Sequence, residues 1–406
     1  MYMQTTNQPI GSAYKPLAFG YRGLFYITHV NNLRSILRCG ILCHERIIRE
    51  QIQFTPVYDE TIVAGRRDRK APNGNSLWAF ANLYFQPRNA MLYRVLLEKS
   101  SEEIAILCIK PEILNREDIY ITVGGAGSER SPIVSRDAGL RILSKLRQFI
   151  NREWWSDVDD SKRLSMAECL VPDSLSPDMI TTIYVASHEV REKLHKDVGG
   201  LNSIEIIPDP YMFFKPEFQV QLTERLSLVK GDMFFSKMHT LTISVNCVGV
   251  MGKGVASRAK YLFPAAYVYY QELCRKRKLQ LGKPYLYKRE NSVEVQLADE
   301  PFSLPQVNME TWYLLFPTKY HWRNRADLEG IRQGLQWIQQ NYQKEGIHSL
   351  ALPALGCGLG WLQWQEVGPV LCRYLSALNI PVQIYLPTEK DIPEEYLAKE
   401  FLLPQQ

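Results

Sequence analysis

The sequence predicts two domains of different architecture, a mixed α+β domain followed by an α/β layered domain. Three observations predict this. A chain of 406 residues exceeds one core of ordinary size, and two domains of roughly 200 residues are the natural division. A Pro-rich stretch, Ile207-Pro208-Asp209-Pro210 through Lys215-Pro216, fixes the backbone and interrupts regular pairing. Beyond it the hydrophobic pattern changes from scattered short strands to regular strand–helix alternation.

In order, residues 1–22 read as a loose arm rich in Gly, Pro and Tyr, and 23–210 as the first domain. Phe25–His29 reads as a strand. Asn31 or Asn32 caps a helix carrying Leu33, Ile36 and Leu37, which Gly40 stops. Residues 64–76 read as a polar loop, Ala79–Leu97 as two strands around Pro87-Arg88-Asn89, and Glu103–Ile109 as a buried strand. Gly124–Ser128 is a loop, 137–152 a helix, Ala167–Val171 and Ile180–Val185 strands. After a linker at 211–225, the second domain spans 226–392 and a tail 393–406. Its strands are Leu226–Val229, Thr240–Val245, Thr311–Phe316, Ser349–Leu352 and Val382–Leu386. Its helices start at Val255 and cover 325–343 and 364–377. Such alternation gives a layered sheet with ligands at the carboxyl ends of the strands.

Composition is that of a globular protein, with a net charge of +5 compatible with nucleic acid without requiring it. The cations cluster at Arg66-Arg67-Asp68-Arg69-Lys70 and Arg275-Lys276-Arg277-Lys278. The eight cysteines are scattered; Cys39, Cys43 and His44 lack two further ligands for zinc, so we expect reduced thiols, no metal and a cytoplasmic protein. No apolar segment suggests a signal peptide or a membrane span, and a monomer is expected.

In the second domain, Val245–Ala256 (VNCVGVMGKGVA) follows a strand and opens a helix. Leu352–Gly360 (LPALGCGLG) follows another strand. Glycines let the backbone approach a ligand, and helix-N-terminal amides favour phosphate; two such loops after strands of one sheet fit a diphosphate held between them. On its residues alone Lys319 reads as a surface lysine; an amine acts as a nucleophile only if burial or neighbouring cations (here Lys253, His321, Arg323 and Arg325) keep it neutral.

These segments resemble the macrodomain family, a three-layer α/β fold that binds ADP-ribose, over 226–388. The resemblance is strongest to its DarG antitoxin branch, through NCVGVMGKGVA, FPTKYHWR and LPALGCGLGWLQW. It implies that Asp232, after Gly231, accepts from the adenine amino group and that Asn246 stands near the distal ribose. Gly249, Met251, Gly252, Lys253, Gly254, Gly356, Cys357, Gly358 and Gly360 hold ADP-ribose, and Lys319 attacks the anomeric carbon. Gly360 stands where a human relative has an aspartate in this loop.

In the first domain a lone His at a strand end, an arginine-rich segment and Glu168 are far apart in sequence and say little alone. Phe25–Leu33, Leu83–Tyr93 (LYFQPRNAMLY), Ile121–Ala126 and Ala167–Pro172 (AECLVP) resemble the DarT toxins over 23–187, with Gly124-Gly125-Ala126 an altered form of that family's loop. The resemblance implies an ADP-ribosyltransferase fold, NAD as substrate and a base of single-stranded DNA as target. Thr28, His29, Asn31, Gly40 and Arg66 are then NAD-binding, Arg67 and Glu168 catalytic, with Arg66 an alternative to Arg67, and Arg69, Lys70, Tyr84 and Arg88 DNA-binding. A carboxylate beside the anomeric carbon stabilises the positive charge that develops as NAD is cleaved. Trp78, Tyr84 and Phe85 are candidates to stack bases. Taken together, the two resemblances imply a chain that writes ADP-ribose on DNA with one half and erases it with the other. Two readings compete: a macrodomain that only reads ADP-ribose beside a protein or RNA transferase, and an inactive transferase scaffold.

Overall fold

A computed structural model describes residues 23–58, 60–197, 204–304, 307–387 and 391–404. The arm at 1–22 lies outside them. The chain forms two units, divided between Phe213 and Phe214, with Leu297–Glu300 belonging to the first.

In the first unit the strands are β1 (Leu24–His29), β2 (Ile41–Leu42), β3 (Phe80–Tyr84), β4 (Ile104–Ile109), β5 (Tyr120–Thr122), β6 (Ile133–Ser135), β7 (Glu168–Pro172), β8 (Ser174–Leu175), β9 (Ile180–Val185) and β10 (Glu205–Pro208). Among the described residues eight of them form one sheet in the order β10-β9-β4-β1-β3-β7-β5-β6, antiparallel except for β9 with β10, while β2 pairs with β8. β4 (IAILCI) is buried along its whole length, as an all-apolar strand between two covered faces must be. β3 and β5 flank β7 and bring Tyr84 and Thr122 opposite Glu168.

Two local expectations fail. Residues 64–76 do not form one loop: a helix runs Glu60–Asp68 and ends at its arginines. The segment after Pro87 is a helix, Ala90–Glu98, rather than a strand. Asn89 decides it, since its side chain accepts from Leu92 N–H at 3.0 Å and caps the first turn. Leu92, Tyr93 and Val95 then share the buried side.

The second unit carries β11 (Phe218–Gln221), β12 (Leu226–Lys230), β13 (Thr240–Asn246), β14 (Tyr285–Tyr287), β15 (Trp312–Lys319), β16 (Leu350–Pro353) and β17 (Val382–Tyr385). The described strands are ordered β11-β12-β17-β16-β13-β15-β14, with five parallel strands inside and an antiparallel strand at each edge. Helices Leu328–Glu345 and Trp364–Leu375 share a core with Leu314, Phe316, Leu350, Leu352 and Ile384 on one face. On the other face, Phe263, between helices Gly254–Leu262 and Pro264–Arg275, packs on Tyr313 with ring centres 4.3 Å apart. This is a three-layer arrangement. The stretch read as a linker contributes edge strand β11. The tail joins the core through Leu402 and through the Trp364 indole, which donates to Tyr396 O at 2.8 Å.

Candidate active sites

Glu168 opens β7 and is 1% exposed. Arg66, in the last turn of helix Glu60–Asp68, meets it through two bonds, Nη1 to Oε1 at 3.2 Å and Nη2 to Oε2 at 2.9 Å. Ala126 N–H donates to Oε1 at 2.7 Å, so the altered glycine loop holds the same carboxylate. Burial works against the Arg66 charge, but Glu168 more than offsets it and leaves the guanidinium above its usual pKa. Thr122 Oγ accepts from Glu168 N–H at 3.0 Å and donates to Gly124 O at 2.7 Å, locking β5, β7 and the loop together. Tyr58 and Tyr84 lie near the pair, and burial first, then Glu168, raises the pKa of Tyr84 well above its ordinary value.

Beside this pair is a cavity of about 90 Å³ lined by Thr28, Asn32, Gly40, His44, Tyr58, Arg66, Trp78 and Asn82 among others. Of the residues expected to bind NAD, Thr28, Gly40 and Arg66 line this cavity, and His29 and Asn31 are not among the lining residues. His29 is buried on its own turn, where Nδ1 accepts from Asn31 N–H at 3.1 Å and Nε2 lies 3.8 Å from Glu103. Burial lowers its pKa. Asn31 is exposed, and its neighbour Asn32 lines the cavity, held by Thr55 at 2.8 Å. Gly40 has φ +86°, and a Cβ there would meet Leu175 O at 2.1 Å.

Arg67, put forward as catalytic, does not reach Glu168. One helical residue turns it about 100° away, where it is exposed and lies over Trp78 at 5.3 Å. The expected DNA-binding set also divides. Arg69 is spent on the carbonyls of Ala126, Ser128 and Ser131 and so pins the loop. Tyr84 and Phe85 are core side chains, and Arg88 is buried over the Tyr211 ring at 3.8 Å. Lys70 alone of that set is exposed. Trp78 donates to Val63 O at 2.7 Å and packs on His44 at 4.3 Å. Tyr58, His44 and Asn82 carried no signal in the sequence, because cavity walls are assembled from distant segments.

In the second unit the glycine loops follow β13 and β16 and face each other, since a Cβ on Gly254 would lie 3.7 Å from the Leu359 side chain. Gly249, Gly254 and Gly356 have φ of +81°, +61° and +81°. Gly360 is required by space, as its Cβ would meet Gly356 O at 2.4 Å. Gly252, Lys253 and Gly358 are exposed, while Met251 and Cys357 are buried beneath the loops. Asn246 is the post of the first loop. Its amide donates to Val250 O at 2.6 Å and accepts from Val248 N–H at 3.0 Å and Tyr270 Oη at 2.9 Å. Asp232 caps a turn by accepting from Phe234 N–H at 3.0 Å and is ion-paired with Arg258, which lies over the Phe234 ring. Its carboxylate is thus already partnered.

Lys319 ends β15. The register with β13 runs Val245↔Pro317 and then Asn246↔Lys319, leaving Thr318 as a bulge, with its hydroxyl 3.0 Å from Ser244 Oγ. Lys319 Nζ donates to Leu359 O at 2.7 Å and sits 5.5 Å from the Trp361 ring centre. Its side chain is 9% exposed, and burial lowers its pKa. Neighbouring cations do not cause the shift: Arg323 lies over Trp322 and Arg325 pairs with Glu366. An ordinary surface lysine has neither this burial nor this partner.

Among the described residues, no group of three or more His, Cys, Asp or Glu could hold a metal ion, and no helix is long and apolar enough to cross a membrane. All eight cysteines are free.

One unit therefore offers a buried carboxylate–guanidinium pair at a cavity, and the other two facing glycine loops around a buried amine. A family model described as DarT, ssDNA thymidine ADP-ribosyltransferase, matches residues 25–214. A DNA ADP-ribosyl transferase–DNA ADP-ribosyl glycohydrolase fusion protein of Thermosipho africanus is 52% identical over 384 residues, 94% of this chain and 98% of its own. The solved structure of Thermosipho africanus DarTG in complex with ADP-ribose matches with TM-score 0.87 at 51% identity, covering 94% of this chain and 100% of that one. A DNA ADP-ribosyl glycohydrolase of Thermus aquaticus is 34% identical over 165 residues, 40% of this chain and 42% of its own. The chain belongs to the family of DarT–DarG fusions, which join a DNA ADP-ribosyl transferase to a DNA ADP-ribosyl glycohydrolase macrodomain.

Proposed function

We propose that the first unit transfers ADP-ribose from NAD to a thymidine of single-stranded DNA with Glu168 and Arg66 as the catalytic pair, and that the second removes it with Lys319 as nucleophile. In transfer, the bond between the ribose and nicotinamide breaks, a base nitrogen bonds to the anomeric carbon, and Glu168 takes the proton from the base. Arg66 orients the carboxylate and balances its charge. A cavity of about 90 Å³ is small beside the roughly 300–1,000 Å³ of ligand clefts.

In removal, neutral Lys319 keeps one N–H on Leu359 O and presents its lone pair to the anomeric carbon. The C–N bond to the base breaks, and the base leaves as an anion that water protonates. The ring opens to a Schiff base, and water hydrolyses that to ADP-ribose and free lysine. Backbone amides of the 249–254 and 356–360 loops hold the diphosphate.

The buried Lys319 between the loops, held by the Leu359 carbonyl, carries this reading, because a domain that only reads ADP-ribose needs no buried amine there. In cells, Lys319→Ala should be toxic and accumulate ADP-ribosylated DNA, and adding Glu168→Gln should relieve both. A Lys319→Ala strain that grows normally with unmodified DNA overturns the reading.

A further inference from the structure

The strand that carries the ADP-ribose has to leave the hydrolase site beside Lys319, and the surface there is neither neutral nor flat. A cleft of about 920 Å³ is lined by Tyr320, the residue after the lysine, together with Cys247–Gly249, Gln271, Arg275, Arg277 and Gln280. The cleft is tied to the site, since Cys247 N–H donates to Tyr320 O at 2.9 Å. Around Lys319 stand large exposed rings: Tyr320 at 64%, Trp361 at 57% and Trp322 at 47%. Arg275 and Arg277 line it, with Lys276 and Lys278 next to them in sequence, and the one carboxylate of the lining, Glu272, pairs with Lys276 at 2.5 Å and Arg275 at 3.9 Å. Three positive charges remain in excess. Cations at the end of a helix answer its dipole, which accounts for Arg275 and Lys276 but not for two more beyond the helix end at Arg275, nor for the cleft beside them.

An exposed ring in a cationic groove is an arrangement that holds single-stranded nucleic acid, with a base on the ring and phosphates on the cations. We propose that this cleft is the strand-binding groove of the hydrolase. Arg275 and Arg277 contact phosphates of the DNA bearing the ADP-ribose, and Tyr320 stacks on a base next to the modified one. The groove rests on the hydrolase reading above and adds where the strand of its DNA substrate lies.

The test uses the full chain carrying Glu168→Gln, so that nothing is written, with two substrates, an ADP-ribosylated oligonucleotide and ADP-ribosyl-thymidine. Arg275→Ala/Arg277→Ala should raise KM for the oligonucleotide about 10-fold with kcat kept. It should also reduce the slope of log(kcat/KM) against log salt by about 1.4, at roughly 0.7 for each of two single-strand phosphates. Hydrolysis of ADP-ribosyl-thymidine should stay within about 2-fold, and Tyr320→Ala should raise KM for the oligonucleotide about 5-fold through lost stacking. Unchanged KM and salt slope overturn the groove while leaving the hydrolase standing. So does competition by an acidic peptide as strong as by unmodified oligonucleotide, which would assign the cleft to a protein. A parent chain that releases ADP-ribose from neither substrate overturns the hydrolase reading, and the groove with it.

Discussion

The two sites solve the same problem, control of one anomeric carbon, with opposite materials. In the first unit a carboxylate on a strand and a guanidinium on a helix are locked in a bidentate pair, and a loop amide completes the grip. In the second, a single amine leans on a neutral carbonyl, and backbone without side chains makes the cleft. Loss of a member should therefore cost the first site its fold as well as its chemistry, and the second its chemistry alone.

Glu168 gives the largest expected effect. From sequence alone the residue looks like an ordinary polar site, where a substitution costs no more than about 1–2 kcal/mol. Its burial with Arg66 raises that to about 3–5 kcal/mol for Glu168→Ala, which strands a buried cation. Glu168→Gln keeps an acceptor for Ala126 N–H and should fold, yet lose about 10³-fold or more in transfer, measured by labelling of single-stranded oligonucleotides with NAD. Labelling at the parent rate would remove the carboxylate from the mechanism.

Lys319→Ala should cost a similar factor in ADP-ribose release while leaving melting temperature and calorimetric affinity for ADP-ribose nearly unchanged, the sharpest contrast with Glu168→Ala. The parent's pH profile sharpens it further. Only the neutral amine attacks, so the rate should rise with pH and level off above the amine's pKa. Burial lowers that pKa, so the plateau should begin below the roughly 10.4 of free lysine. A rate still climbing at that pH would argue against a buried nucleophile.

The loops supply a smaller effect with an internal control. Gly360→Ala drives a methyl into Gly356 O and should weaken ADP-ribose about 10-fold, whereas Gly358→Ala projects into open space and should change little. Equal losses would mean that the loop adjusts freely. Smallest of all should be Arg67→Ala, within about 3-fold in transfer, against near-complete loss for Arg66→Ala.

The contrast also decides what the sequence made legible. The eraser is written in contiguous words, because a loop after a strand keeps its glycines and its helix start together, and VNCVGVMGKGVA and LPALGCGLG stand out by composition. The writer is assembled from residues 66, 126 and 168, on a helix, a loop and a strand. Nothing in the charge run at 66–70 says which arginine faces inward. The helix phase assigns Arg66 to the carboxylate, Arg67 to Trp78 and Arg69 to loop carbonyls. Arg88 looked like a DNA contact for the same reason, and its burial over Tyr211 became visible only once the chain was folded.

The bulge at Thr318 bears on how this site can change over generations. Successive side chains of a strand point to opposite faces, so one extra residue in β15 decides which way the amine of Lys319 is aimed. Substitutions along Trp312–Pro317 alter packing by degrees. A one-codon deletion or insertion there would turn Lys319 toward the opposite face in a single step while leaving most of the parallel sheet able to form. Among descendants of this chain, length at this strand should accordingly be held more tightly than identity.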